Sequence, residues 1–333
     1  GFEYFYGFLS ADTDQWAPSL VENTTPIEPP HDDPDYLFDK DIAERAIGWI
    51  RQQRVLAPDN PFFVYLATGA AHAPHHAPPE WLARFRGQYD MGWDKLREQI
   101  FARQKTLGVI PRDAVLTPRP TELPAWDSLS ADEKRLASRL MEAFAASLTY
   151  ADAQIGRVID ELRQSGQIDN TLIVYIQGDN GASAEGGIQG TLFEQSMVNR
   201  QTEDLEYVLG RIDTIGGPEA YNNYNAGWAW AANAPFPSFK QAASQFGGIR
   251  NGMVMSWPGH MRGNGGVRDQ FAHVSDIMPT ILEATGLEAP STLNGVPQQP
   301  IDGISLAYTF KTPKLLPSVC GAVFSGIRVM PGR

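Results

Sequence analysis

The stretch Thr171-Leu-Ile-Val-Tyr-Ile-Gln-Gly-Asp-Asn-Gly181 carries the clearest structural signal in this chain. Its first part, residues 171–177, is a run of aliphatic, β-branched and aromatic side chains, which predicts a buried central strand. The run stops at Gly178-Asp179-Asn180-Gly181, where glycines on both sides permit a sharp turn. Ligands of open α/β sheets bind at the carboxyl ends of strands, so this turn is a candidate ligand site.

The side chains of Asp179 and Asn180 both offer oxygen atoms. Oxygen donors suit Ca²⁺ or Mg²⁺, whereas zinc prefers nitrogen and sulfur. Asp and Asn are also common in plain turns. On these residues alone, a pair of metal ligands and an ordinary polar turn both remain open.

A second apolar run, residues 61–67, predicts another buried strand. It follows a helix that is expected over residues 39–55, with Asp39 as its cap. A helix followed by an apolar strand is typical of the αβ alternation of a parallel sheet. The sequence therefore predicts an α/β fold, with a mostly parallel sheet flanked by helices.

The loop after residues 61–67 contains His72, His75 and His76. Prolines within the loop rule out a helical pair of metal-binding histidines. We expect either a solvated loop or a single histidine at the entrance of a site. His72 is the best placed of the three because it lies nearest the strand end.

Further elements follow along the chain. Ser130 and Glu133 form a capping-box pattern that predicts a long helix ending at Gly166. Residues 191–211 are expected to be helical, and residues 216–237 to form a long ordered loop. The segment from His273 to Asp276 predicts a helix start.

Lys240 comes after the aromatic loop and before a Gly-Gly turn into the apolar segment 253–257. An isolated lysine is usually a surface residue. Its position before the Gly-Gly turn makes an ammonium group that points inward an alternative to a surface one.

Composition excludes several classes of protein. The net charge is −12, which disfavours nucleic acid and anionic membranes as partners. No apolar run is long enough to span a bilayer. Cys320 is the one cysteine, so an internal disulfide and a cysteine zinc site are both excluded. The compartment stays open between cytoplasm and periplasm.

Several segments, taken together and in order, resemble the sulfatase family of the alkaline-phosphatase-like superfamily, in particular bacterial-type arylsulfatases. The resemblance covers residues 1 to about 310 and implies the fold of that superfamily. The matching segments are Gly7 to Leu9, Thr13 to Trp16, Phe63 to Pro74, Tyr150 to Gly156, Ile173 to Gly181, Lys240 to Gly259, His273 to Thr280 and Asp302 to Leu306.

The resemblance also implies a mechanism, with sulfate esters as the small-molecule substrates. A hydrated formylglycine attacks the sulfur, and one divalent cation, usually Ca²⁺, neutralises the sulfate oxygens. Asp179 and Asn180 would be two ligands of that cation. Lys240 would bind a sulfate oxygen, and His72 would protonate the leaving alcohol.

This sequence departs from the family pattern in one respect. Formylglycine is made from the Cys or Ser of a Cys/Ser-x-Pro-x-Arg motif, but Cys320-Gly-Ala-Val-Phe has neither proline nor arginine. The motif and two further carboxylate ligands are expected before Gly1, so we interpret the chain as a fragment that lacks the N-terminal portion of the fold. Residues 1–312 would be the central and C-terminal part of a catalytic domain, and 313–333 a divergent or truncated tail. The chain alone is expected to be inactive.

Two alternatives remain. A phosphodiesterase or phosphonate hydrolase of the same superfamily would need more histidine and aspartate ligands, but Asp179 is followed by Asn, which favours a single metal. A non-catalytic binding module that kept the fold is the other alternative.

Overall fold

The computed structural model describes residues 2–30, 33–262 and 265–311. The predicted tail, residues 313–333, and Cys320 lie outside these ranges. The helices are α1 Phe38–Leu56, α2 Pro79–Arg84, α3 Gly92–Leu107, α4 Ala131–Gln164, α5 Gln195–Val198, α6 Leu205–Leu209, α7 Ala226–Ala232, α8 Phe246–Ile249 and α9 Ile277–Thr285. The strands are β1 Tyr6–Gly7, β2 Leu20–Glu22, β3 Thr25–Ile27, β4 Ile173–Gln177, β5 Gly252–Ser256, β6 Thr292–Leu293 and β7 Val296–Pro297.

The described chain forms two compact units. The first comprises residues 2–165 and 175–254, and the second comprises residues 166–174 and 255–311. Every residue that the sequence assigns to the candidate site lies in the first unit. No helix in the described ranges is both long enough and apolar enough to cross a bilayer.

Strand β4 covers the last five residues of the predicted strand at residues 171–177 and pairs with β5, which overlaps the apolar segment 253–257. It is less buried than expected, since the side chain of Ile176 is 45% exposed. In the part of the chain that the structure describes, β5 is the one strand paired with β4. A strand with a single neighbour leaves much of its surface open.

The strand predicted over residues 61–67 is not formed in the described structure. The side chains alternate, with Phe63 55% and Tyr65 74% exposed while Leu66 is half-buried and packs on a small cluster that includes Phe38. This alternation is that of an extended chain with one covered face. The prediction was wrong because a strand also needs a neighbouring strand to pair with, which periodicity alone does not supply.

Helix α4 confirms the predicted capping box. The Ser130 hydroxyl accepts the Glu133 N–H at 3.2 Å, and the Glu133 carboxylate accepts the Ser130 N–H at 2.8 Å. Leu136 and Leu140, four residues apart on one face of the helix, are buried. The helix ends before Gly166, which has the left-handed φ of 71° that favours glycine.

The helix expected over residues 191–211 is replaced by the short helices α5 and α6. The carboxylate of Glu203 accepts the N–H groups of Leu192 and Phe193 at 2.6 and 2.9 Å. These hydrogen bonds satisfy backbone donors without a helix. The predicted loop at 216–237 is ordered, but it contains the buried helix α7.

Three tryptophans form the centre of the main core. Trp93 of α3 meets Trp126 edge-on at 4.9 Å and Trp228 of α7 at 5.5 Å between ring centroids. The indole N–H of Trp228 donates to the Ala137 carbonyl of α4 at 2.9 Å. Helices α3, α4 and α7 are thereby held together by aromatic packing and a hydrogen bond.

Gly92, the first residue of α3, allows this close packing. It has a φ of 81°, and a Cβ placed on it would lie 2.1 Å from the Trp126 ring. Gly108, the cap at the other end of α3, has a φ of 71° but nothing within 4 Å of a Cβ.

The two glycines give a matched test of the tryptophan contact. Gly92→Ala should lower the free energy of unfolding by about 2–5 kcal/mol. The alanine would have to adopt a left-handed φ, and its Cβ would collide with the Trp126 ring. Gly108→Ala should cost only the conformational part, about 1–2 kcal/mol. Urea denaturation measures both variants, and equal losses would contradict the role given to Trp126.

Candidate active site

The loop that carries His72 is attached to the start of α1. The Gly69 N–H donates to the Asp39 carboxylate at 3.3 Å, and Thr68 Oγ1 donates to the Ala70 carbonyl at 2.8 Å. Asp39 does not cap α1 as predicted, because it lies inside the first turn after the N-cap Leu37. Its carboxyl group is buried, which raises its pKa to about 6.

The hydrogen bonds of His72 define its tautomer. Its Nδ1 lies 2.8 Å from the Ala73 carbonyl oxygen, which can only accept a hydrogen bond. Its Nε2 lies 3.2 Å from Lys240 Nζ, which as an ammonium can only donate. The two contacts together assign the ring proton to Nδ1 and leave Nε2 as an acceptor. His72 is half-buried at this position.

Lys240 reaches His72 from a loop with unusual backbone geometry. Ser238 and Gln241 have φ values of 68° and 76°, which non-glycine residues rarely adopt. The Asn233 amide donates to the Ser238 carbonyl at 3.0 Å, and the Lys240 N–H donates to the Ala182 carbonyl at 3.0 Å. Lys240 Nζ also donates to the Glu185 carboxylate at 2.8 Å.

Asp179 and Asn180 lie in the turn after β4, and the backbone of this turn contacts the backbone of the loop around Lys240. Gly181 has a φ of 76°, and a Cβ on it would lie 1.9 Å from the Gly247 carbonyl oxygen. The next residue is Ala182, which accepts the Lys240 N–H. Position 181 therefore requires glycine, both for its φ and for the close approach of two backbone segments.

Asp179 is exposed and Asn180 is half-buried. Within residues 2–30, 33–262 and 265–311, neither side chain makes a hydrogen bond or an ion pair. Their oxygens are thus free of protein donors. The structure brings His72 and Lys240 into direct contact. Asp179 and Asn180 are related to Lys240 through the backbone, since the Ala182 carbonyl that follows their turn accepts the Lys240 N–H.

A cluster of possible metal ligands around His72 is not evident from the sequence. One atom each of Asp12, His72 and Glu194 lie within 4.8 Å of one another. Asp12 lies next to a segment that matched the family pattern, Thr13 to Trp16, so that segment was a usable signal. Glu194 has no such signal, because its position depends on contacts with Asp12 and His72, which lie far away in the sequence.

Glu194 is a buried carboxylate among other negative charges. Its Oε1 accepts the Asn223 amide N–H at 2.8 Å. Burial raises the pKa of Glu194, and the charges of Glu185 and Asp12 act in the same direction. Glu185 pairs with the Lys240 ammonium, while Asp12 and Glu194 lie beside His72, which Lys240 also contacts.

His75 and His76 do not join this cluster. His75 is stacked on Tyr224 at 5.0 Å and meets Phe144 edge-on at 5.1 Å. His76 Nε2 lies 2.6 Å from the Ala220 carbonyl oxygen. Among the described residues the loop thus contributes one histidine, His72, to a possible metal cluster.

The fold is similar to that in the crystal structure of Ps i-CgsB in complex with k-i-k-neocarrahexaose. The TM-score is 0.52 at 18% sequence identity, and the match covers 94% of this chain and 51% of that chain. At this identity the likeness concerns the fold alone. The fold class is the alkaline-phosphatase-like α/β class, as the sequence predicted.

Sequence comparisons define the family. The Sulfatase family model matches residues 1–287. The chain is 32% identical over 275 residues to an arylsulfatase of Klebsiella aerogenes, with 82% of this chain and 56% of that protein covered. It is 31% identical over 307 residues to an uncharacterised sulfatase of Schizosaccharomyces pombe, with coverage of 87% and 53%. The chain belongs to the sulfatase family and spans about half the length of these curated relatives.

His75 predicts a pH dependence of stability. Burial lowers its pKa to about 3, against about 6.5 in the unfolded chain, so the unfolded state binds the extra proton between these values. Its contribution to stability is complete above about pH 6.5 and is lost progressively as the pH falls towards 3. Between pH 6.5 and 5 the wild type should lose about 2 kcal/mol more than His75→Gln. Denaturant unfolding at the two pH values measures this, and parallel losses in the two proteins would contradict it.

Proposed function

We propose that the full-length protein hydrolyses sulfate esters, giving an alcohol and inorganic sulfate. Membership of the sulfatase family and the similarity to an arylsulfatase support the reaction class. The observation that carries the proposal is the 3.2 Å contact between Lys240 Nζ and His72 Nε2. The ammonium group proposed to bind a sulfate oxygen therefore lies beside the imidazole proposed to protonate the leaving oxygen.

The proposed roles follow from what each side chain can donate. Lys240 donates a hydrogen bond to a sulfate oxygen and stabilises its charge. His72 keeps its Nδ1 proton on the Ala73 carbonyl and, once protonated at Nε2, gives that proton to the departing alkoxide. The carboxylates of Asp12 and Glu194 lie beside the ring and compensate the positive charge of the imidazolium.

Sulfatases generally bind a divalent metal, and the charge balance here supports that requirement. Asp12, Glu185 and Glu194 outnumber Lys240, so an anionic ester would enter a region of net negative charge. We propose Ca²⁺, with the free oxygens of Asp179 and Asn180 among its ligands. The cation would neutralise the sulfate oxygens. Ca²⁺ takes about six to eight oxygens, so these two side chains provide only part of the site.

The 333 residues contain no Cys/Ser-x-Pro-x-Arg motif from which formylglycine could be made. The proposed nucleophile is formylglycine, by resemblance to the family. The proposed activity therefore concerns the full-length protein, and this chain by itself is proposed to be inactive.

The metal assignment predicts that Asp179→Ala lowers the hydrolysis of p-nitrophenyl sulfate by the full-length protein at least about 100-fold, since it removes a carboxylate ligand. EDTA should abolish activity and Ca²⁺ should restore it in the wild type. Asp59→Ala, at an exposed aspartate elsewhere, is the matched control. Retained activity in the Asp179 variant would remove the assignment, and faster hydrolysis of a phosphodiester or a phosphonate ester would favour a different reaction class.

The acid role of His72 predicts a dependence on the leaving group. His72→Ala should slow alkyl sulfates by about 10²–10⁴-fold but aryl sulfates with acidic phenols much less, because an acidic phenol leaves without a proton. Steady-state rates on a series of aryl and alkyl sulfates measure this. The same loss on every substrate would show that His72 does not act as the acid.

A further inference from the structure

Both carboxylate oxygens of Glu185 accept hydrogen bonds from the loop that carries Lys240. Its Oε2 accepts from Lys240 Nζ and from the Ser183 hydroxyl, each at 2.8 Å. Its Oε1 accepts the Gln241 amide N–H at 2.8 Å. One carboxylate therefore holds two consecutive side chains, at positions 240 and 241.

The loop needs such a restraint. Ser238 and Gln241 both have left-handed φ values, and that backbone conformation is unfavourable for residues with a Cβ. The hydrogen bonds from Gln241 to Glu185 and from Asn233 to Ser238 oppose relaxation of the loop. The direction in which the lysine leaves the loop is therefore fixed at both ends of the segment 238–241.

The Lys240–Glu185 pair differs from an ordinary surface ion pair, which contributes little. The Lys240 side chain is only 17% exposed and that of Glu185 is 34% exposed. Burial opposes ionisation of Glu185, but the hydrogen bonds from Lys240 and Ser183 outweigh it and lower its pKa. Charge-assisted hydrogen bonds of this kind are stronger than neutral ones.

The geometry also leaves one donor of Lys240 available. An ammonium has three N–H groups. In the described chain one is directed to Glu185 and one to His72. The third can donate to a sulfate oxygen while Glu185 still holds the nitrogen.

We propose that Glu185 is a positioning residue for the sulfate-binding ammonium of Lys240, an inference that rests on the function proposed above. Glu185 does not touch the substrate. It fixes Nζ beside His72, so that the sulfate group meets an oriented donor instead of a mobile one. Preorganised donors of this kind are a major source of charge stabilisation in active sites.

The test uses the full-length protein with Glu185→Gln, Lys240→Ala and the double variant. Glu185→Gln should lower kcat/KM by about tenfold or more, mainly through KM, and by the same factor for aryl and alkyl sulfates, since every substrate has the same sulfate group. It should weaken binding of inorganic sulfate in calorimetry by a similar factor. In the Lys240→Ala background the Glu185 substitution should have no further effect. Glu206→Gln, at an exposed glutamate, is the matched control.

The remaining outcomes overturn the inference or the function separately. Additive losses in the double variant, or an unchanged Glu185→Gln protein, would show that Glu185 does not act through Lys240. A wild type that fails to hydrolyse any sulfate ester would refute the proposed function. In that case calorimetry with inorganic sulfate still decides the role of Glu185, since an unchanged affinity in Glu185→Gln would refute it.

Discussion

The ammonium group of Lys240 connects two residues that are far apart in the sequence, His72 at 3.2 Å and Glu185 at 2.8 Å. It is a positive group in a region where Asp12, Glu185 and Glu194 all carry carboxylates. Without the ammonium these carboxylates would repel one another in a partly desolvated setting. The chemistry proposed for the site uses the same ammonium to attract a sulfate oxygen.

The loop that carries Lys240 is attached to the core through hydrogen bonds of Asn233 at the end of α7. Helix α7 packs Trp228 against Trp93, and its C-cap is Asn233. The Asn233 amide accepts the Ala182 N–H and donates to the Ser238 carbonyl, each at 3.0 Å. One side chain thus fixes both the turn after β4 and the loop of Lys240. The aromatic core and the candidate site are coupled by this residue.

Local signals in the sequence identified local structure well. The capping box at Ser130 predicted α4, and the apolar run at residues 171–177 predicted β4, because caps and short hydrophobic runs act within a few residues. Whether residues 61–67 form a strand could not be predicted from their local pattern, since strand formation depends on a partner strand elsewhere in the chain. Glu194 and Glu185 were missed for the same reason. Their roles come from contacts with distant residues, such as Glu185 with Lys240, 55 positions away.

A crystal structure of the full-length protein with inorganic sulfate would examine the whole site in a single experiment. We expect Lys240 Nζ and His72 Nε2 both to lie about 3 Å from oxygens of the same sulfate ion. We also expect Asp179 and Asn180 to ligate a cation bound to that ion. Sulfate bound elsewhere, with the Asp179 carboxylate turned away from any cation, would contradict the account.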